Sequence, residues 1–260
     1  MTALLSIASV VAVSLVSLIG IVTISMNEER IRRLATFFVS FAVGALLGDA
    51  FIHLIPATFQ NDSGSRSTLA GSLLILGGMM VFFVVEKLLR HTHGVLHAQA
   101  HGEAHGPERS GRPEIATINI VGDATHNFLD GVLIGASYLV SPTLGVATTI
   151  AVLLHEIPQE LGDFGILIHS GLSVRQALLL NLGSASVAIV GTVVAIVVGS
   201  SAHDVISSVL IPVAAGGFVY LAAADLIPEL QHDRSPRALV VQTGLISMGI
   251  AVMGVLALLE

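Results

Sequence analysis

Eight separate apolar runs, each close to the span of a bilayer, constrain this chain more than any other feature. Their approximate limits are 3–25, 34–57, 68–90, 114–139, 144–169, 175–199, 205–229 and 237–259. A membrane-spanning helix needs about 20 mainly apolar residues. Only 11% of the residues are charged, against roughly 25% in soluble domains. The expected fold class is therefore an all-α polytopic membrane protein with eight transmembrane helices, forming one domain over residues 1–260. The connections are too short for a second, soluble domain. The first run lacks a basic leader and a small-residue cleavage site, and reads as a retained helix. With no cysteine there is no disulfide framework and no thiolate site. A net charge of −7 argues against nucleic acid as a partner and leaves the lipid bilayer as the surroundings.

Charge sets an orientation. Of the 11 Lys and Arg residues, all but Arg66 fall at alternate connections: Arg30, Arg32 and Arg33, then Lys87, Arg90, Arg109 and Arg112, then Arg175, then Arg234 and Arg237. Cytoplasmic loops carry the basic excess, so both termini are expected outside. A faint internal echo joins the end of helix 2 (Asp49, His53, Pro56) to the end of helix 7 (Asp225, Pro228, Glu229). If helices 1–3 and 6–8 repeat around helices 4 and 5, the repeats are inverted, a transporter arrangement with its site near the midplane.

Helices 4 and 5 carry the residues hardest to solvate there, in "HNFLDG" (126–131) and "HEIPQE" (155–160). Residues four apart share a helical face, which pairs His126 with Asp130, His155 with Gln159 and Glu156 with Glu160. The short "VSPT" between the helices makes them antiparallel neighbours, so His126, Asn127, Asp130, His155, Glu156 and Gln159 reach a common depth. An acid at that depth costs about 2.5–3.5 kcal/mol by insertion scales. A single such residue reads as interhelical glue; the joint constellation is an N/O ligand set suited to Zn²⁺, Fe²⁺ or Mn²⁺. Pro158 removes a helical hydrogen bond beside these residues and predicts a kink. Asp123 and Asp163 lie one turn to the cytoplasmic side and, with Glu160 and Asn181, read as transit or exit residues. His53, Asp225 and Glu229 read as transit sites or as bonds to neighbouring helices. The tract from about 91 to 113 reads as a cytoplasmic loop whose His91, His93, His97, His101 and His105 receive or sense metal.

At these residues the chain resembles the ZIP (Zrt-, Irt-like protein) family of divalent metal transporters. The helix 4 motif H-N-x-x-D-G stands as His126, Asn127, Asp130 and Gly131. The helix 5 motif H-E-x-P-x-E stands as His155, Glu156, Pro158 and Glu160. The stretches "GALLGDAFIHLIP", "NLGSAS" and "GGFVYLAAADLIPEL" are similar to the family as well. The resemblance implies eight helices with outside termini and entry of metal toward the cytoplasm; a bacterial-type member is expected, and the short loops fit an inner cell membrane protein. Zinc comes first, with iron, manganese or cadmium as further substrates. A homodimer is compatible with it, and some members are thought to move one helical bundle against another. Carried over, the first site is His126, Asp130, His155 and Gln159, and an adjacent one draws on Asn127 and Glu156. Gln159 is a weak, neutral ligand. Helix 6 has no acid and offers only Asn181, Ser184 and Ser186, so one main site is expected.

Three other functions compete. An intramembrane metalloprotease needs H-E-x-x-H; here Gln159 stands in place of the second histidine, so no enzyme is expected. A metal sensor or scaffold would bind zinc without passing it. Export uses the same ligands, and only the resemblance selects uptake.

Overall fold

The computed structural model describes residues 2–24, 26–59, 65–102, 113–201, 206–233 and 235–258, with backbone alone for 28, 65–67, 89–102, 113–115, 118, 200–201 and 206–207. These residues are helical almost throughout. We number the segments α1 (Thr2–Thr23), α2 (Glu29–Phe59), α3 (Ser65–Gly102), α4 (Pro113–Val140), α5 (Pro142–His169), α6 (Val174–Gly199), α7 (Ser208–Leu230) and α8 (Pro236–Ala257). Six of them, all but α4 and α5, are or contain stretches long and apolar enough to cross a membrane.

Local chemistry sets the helix starts. Ser141 accepts a hydrogen bond from the Leu144 N–H with Pro142 next in line, and Ser235 does the same for Ala238 ahead of Pro236. Ser173 and Gln176 form a reciprocal capping box at the start of α6. Gly171, at φ 90°, turns the chain between α5 and α6, a conformation that a Cβ disfavours. α3 continues as helical backbone to Gly102, so His91, His93, His97 and His101 stand on a helix where a loop is expected. Their side chains, and His105 entirely, lie outside the described residues. α5 passes through Pro158 as one helix.

The irregular turns lie elsewhere. In α2 a π-helical turn spans Asp49–Leu54, and in α7 one spans Leu221–Leu226. Each closes with an N–H reaching five residues back, Ile55 to the Ala50 carbonyl and Ile227 to that of Ala222. The cause is the next residue, Pro56 or Pro228, which has no N–H to donate and whose ring crowds the carbonyl four residues earlier.

Glycine then decides which helices touch. A Cβ on Gly44 of α2 would lie 2.0 Å from the Ile246 carbonyl oxygen of α8, and one on Gly216 of α7 would lie 2.0 Å from that of Ile75 in α3. Gly249 of α8 and Gly78 of α3 press back on Phe41 and Val213. The α2–α8 and α7–α3 pairs thus match, with glycine, π-turn and proline at the same spacing in α2 and α7. α4 packs on α6 in the same manner: a Cβ on Gly131 would meet the Ala188 carbonyl oxygen at 1.9 Å, and one on Gly191 would meet that of Phe128 at 2.1 Å. Thr192 donates to the Gly131 carbonyl at 2.8 Å. α5 runs through the middle, against α1, α2 and α4. The core, built on Leu46, Leu54, Ile134, Ile211, Phe218 and Met253, surrounds it.

Candidate metal centre

Two features of the sequence bring α4 and α5 together. Ser141 alone separates α4 from α5 and caps α5 ahead of Pro142, and Gly145 fits under the Tyr138 ring, where a Cβ would lie 2.3 Å away. His126 and Asp130 project from one face of α4, and His155 and Glu156 from the facing side of α5. Four ligand atoms converge: Nε2 of His126, Nε2 of His155, Oδ2 of Asp130 and Oε1 of Glu156, all within 4.8 Å of one another.

The separations fit one ion. His126–His155 is 3.3 Å, His126–Asp130 3.6 Å, His126–Glu156 3.5 Å, His155–Asp130 3.0 Å and His155–Glu156 3.5 Å. A tetrahedral Zn²⁺ with bonds of about 2.0–2.1 Å holds its ligand atoms about 3.3–3.4 Å apart. Five of the six edges of that tetrahedron are thus close to their required length.

Hydrogen bonding points the same way. His155 Nδ1 lies 3.1 Å from the Ala151 carbonyl oxygen, which can only accept. That contact places the proton on Nδ1, and in the neutral ring it leaves a lone pair on Nε2. The lone pair faces Oδ2 of Asp130, another acceptor. Both Asp130 oxygens and Oε1 of Glu156 are buried without a hydrogen-bond donor. Buried polar atoms normally have a partner, and acceptors gathered on one point are what a cation satisfies. The side chains of Asp130, His155 and Glu156 are at most 3% exposed, whereas that of His126 is 17% exposed.

The other residues singled out in the sequence separate into groups. Asn127 is buried but turns to Asp123, donating to its Oδ1 at 2.8 Å and its carbonyl at 3.2 Å. Gln159 and Ser184 also face the Asp123 carboxyl, so Gln159 lies beside Asp123. Asn181 of α6 donates to Oε2 of Glu160 and at 3.3 Å to the Ser17 carbonyl of α1. Asn119, absent from the sequence reading, donates to Asp163 at 3.0 Å. One oxygen each of Asp123, Glu160 and Asp163 is buried with no hydrogen-bond partner, which marks an acidic tier below the quartet. His53 is buried 3.3 Å from Asp49, whose other oxygen lies 3.0 Å from the Thr148 hydroxyl. Glu229 is exposed at the α7–α8 turn beside His232. Asp225 lines a small cavity with Glu86 and Tyr220, two residues the sequence reading passes over. The signal for Glu86 was its place four residues beyond Phe82, on the stripe of α3 that meets α7.

Comparison with known proteins agrees with this geometry. The family model for the ZIP Zinc transporter matches residues 2–114 and 92–257. Zinc transporter SLC39A7 of Mus musculus is 32% identical over 316 residues, covering 92% of this chain and 66% of that protein. Zinc transporter ZIP4 of Homo sapiens is 36% identical over 255 residues, covering 77% of this chain and 39% of that protein. Zinc transporter zipt-7.2 of Caenorhabditis elegans is 33% identical, covering 92% and 62%. The chain thus spans no more than about two thirds of the length of these relatives. They come from animals, and the expectation of a bacterial-type member is not borne out. They are named as transporters, in keeping with a chain that is not an enzyme. Family match and relatives together establish that this chain is a member of the ZIP zinc transporter family.

Proposed function

We propose that the chain carries divalent metal ions, zinc first, across a cell membrane toward the cytoplasm through a multi-pass bundle of eight spans with both termini outside. Six helices qualify as spans by length and apolar composition. The other two, α4 and α5, have 28 residues each, about 42 Å at 1.5 Å per residue. Polar residues lower their hydropathy. The alternation of basic residues supports the orientation, and the matched π-turns of α2 and α7 support inverted repeats.

The tetrahedral quartet of His126, Asp130, His155 and Glu156 is the observation that carries this reading. An ion entering from outside exchanges its water for these four donors. It then leaves by the acidic tier of Asp123, Glu160 and Asp163, assisted by Asn127 and Gln159, toward the histidines on the last turns of α3 and His105 beyond it. Iron, manganese and cadmium suit the same donors. The relatives' names support zinc.

The test is zinc entry into proteoliposomes loaded with a zinc dye, wild type beside His155→Ala. Saturable entry that the substitution abolishes is the expected result. Stoichiometric binding without entry would instead identify a sensor or scaffold, and entry indifferent to the substitution would remove these residues from the path.

A further inference from the structure

Between the last turn of α7 and the first half of α8 runs a groove of about 550 Å³. Ile227 and Leu230 of α7 and Leu239 and Ile246 of α8 give it apolar walls, with Leu239 largely exposed. On α8 the lining follows the three- and four-residue spacing of one helical face, from Ser235 through Leu239, Gln242 and Thr243 to Ile246. Gln242 ties the two helices together, its Nε2 donating to the Leu230 carbonyl at 3.1 Å. Leu230 and Ile246 pack with Val39 and Val43 of α2.

The groove has the length of one bilayer leaflet. From Ser235 to Ile246 the helix climbs about 16 Å at 1.5 Å per residue, and half of the hydrocarbon core is about 15 Å. The α7 span ends at Leu230 and the α8 span begins at Pro236. Gln231, Asp233 and Ser235 therefore stand at headgroup level when Ile246 is near the midplane. That polar end is acidic. Oδ1 of Asp233 accepts the Ser235 N–H at 2.9 Å, which holds the carboxyl below its ordinary pKa and ionised at neutral pH. Glu229 is exposed on the last turn of α7. Among the described residues that line the groove none is basic; Arg234 lies outside the described residues.

We propose that this groove seats one zwitterionic phospholipid with a primary ammonium headgroup, phosphatidylethanolamine, its acyl chain along Leu239 and Ile246 and its ammonium on the Asp233 carboxylate. The inference rests on α7 and α8 as membrane spans and does not depend on metal transport. Headgroup chemistry separates this lipid from its neighbours. An ammonium donates charge-assisted hydrogen bonds to a carboxylate, and these are the strong ones. Choline has no N–H to donate. Phosphatidylglycerol brings a net negative charge beside Asp233 and Glu229, and like charges repel.

The experiment titrates the detergent-purified chain with phosphatidylethanolamine, phosphatidylcholine or phosphatidylglycerol of identical acyl chains, read by native mass spectrometry and by thermal unfolding. Wild type is compared with Asp233→Asn, which still accepts the Ser235 N–H but carries no charge, and with Thr243→Trp, which fills the groove. Wild type is expected to retain one phosphatidylethanolamine, bound about tenfold more tightly than phosphatidylcholine, the scale of one hydrogen bond to a charged group. In Asp233→Asn that preference disappears. In Thr243→Trp all three lipids weaken by about tenfold or more. Asp233 lies in an exposed turn, so its variant keeps the test independent of any folding defect in Thr243→Trp. Equal affinity of wild type for phosphatidylethanolamine and phosphatidylcholine overturns the inference. A preference for phosphatidylglycerol overturns it too, by giving the headgroup to basic residues. A phosphatidylethanolamine preference that survives both substitutions places the lipid elsewhere. A dimer that Thr243→Trp dissociates, with no lipid retained, assigns the groove to a second copy of the chain. None of these readouts involves zinc entry, so the permease reading stands or falls by the liposome assay alone.

Discussion

Nε2 of His155 lies 3.0 Å from Oδ2 of Asp130, across the contact between α5 and α4, while Nδ1 of the same ring is bound to the Ala151 carbonyl. A neutral ring so anchored presents a lone pair to a carboxylate, an arrangement that only a proton or a metal ion makes favourable. Replacing Asp130 with Asn removes the charge but keeps the shape. Zinc affinity by calorimetry is expected to fall by more than about 100-fold, beyond the 10–100-fold typical when a residue supporting a ligand is lost. Unchanged affinity would exclude Asp130 as a ligand.

Zinc and protons compete for these four donors, because ligands bind metal in their deprotonated forms. Binding is therefore expected to release protons and to weaken on acidification. Calorimetry in buffers of different ionisation enthalpy reads the proton count directly. A heat independent of buffer would contradict coordination by the histidines.

Gly131 follows Asp130 in the helix 4 motif, and its role is packing. A Cβ there would meet the Ala188 carbonyl oxygen at 1.9 Å, and backbone cannot step aside as a side chain can. Gly131→Ala is expected to cost roughly 1–3 kcal/mol as overpacking, read as a lowered midpoint of thermal unfolding in detergent. Gly77→Ala is the control, with open space around its Cβ; in a helix it is expected to be neutral or to stabilise by about 0.5–1 kcal/mol. Equal effects from the two would refute the packing account.

Asn181 ties α6 to Glu160 of α5 and to the Ser17 carbonyl of α1. Asn181→Ala leaves the buried Glu160 carboxyl without this donor, and a loss of about 1–3 kcal/mol of stability is expected for the orphaned group. The same unfolding measurement checks it without zinc. Full stability would show that water replaces the amide, and would restore Asn181 to the transit residues.

Much of this was legible from residue order alone. The apolar runs announce spanning helices because lipid leaves the backbone no other partner than itself. The two histidine motifs announce a shared depth because four-residue spacing and a short turn allow no other meeting. Three things depended on tertiary packing. The Glu156 carboxylate meets His126, Asp130 and His155, while Gln159 turns toward Asp123, a choice of helix rotation that depends on how α4 and α5 pack, as where Gly145 fits under Tyr138. The backbone opens at Pro56 and Pro228 in α2 and α7, while α5 absorbs Pro158. Glu86, an unremarkable acid beside Lys87 in the sequence, faces a cavity next to His126. Periodicity reports which face of a helix is polar; which neighbour that face meets is decided by how closely two backbones approach, and that is a property of the packed bundle.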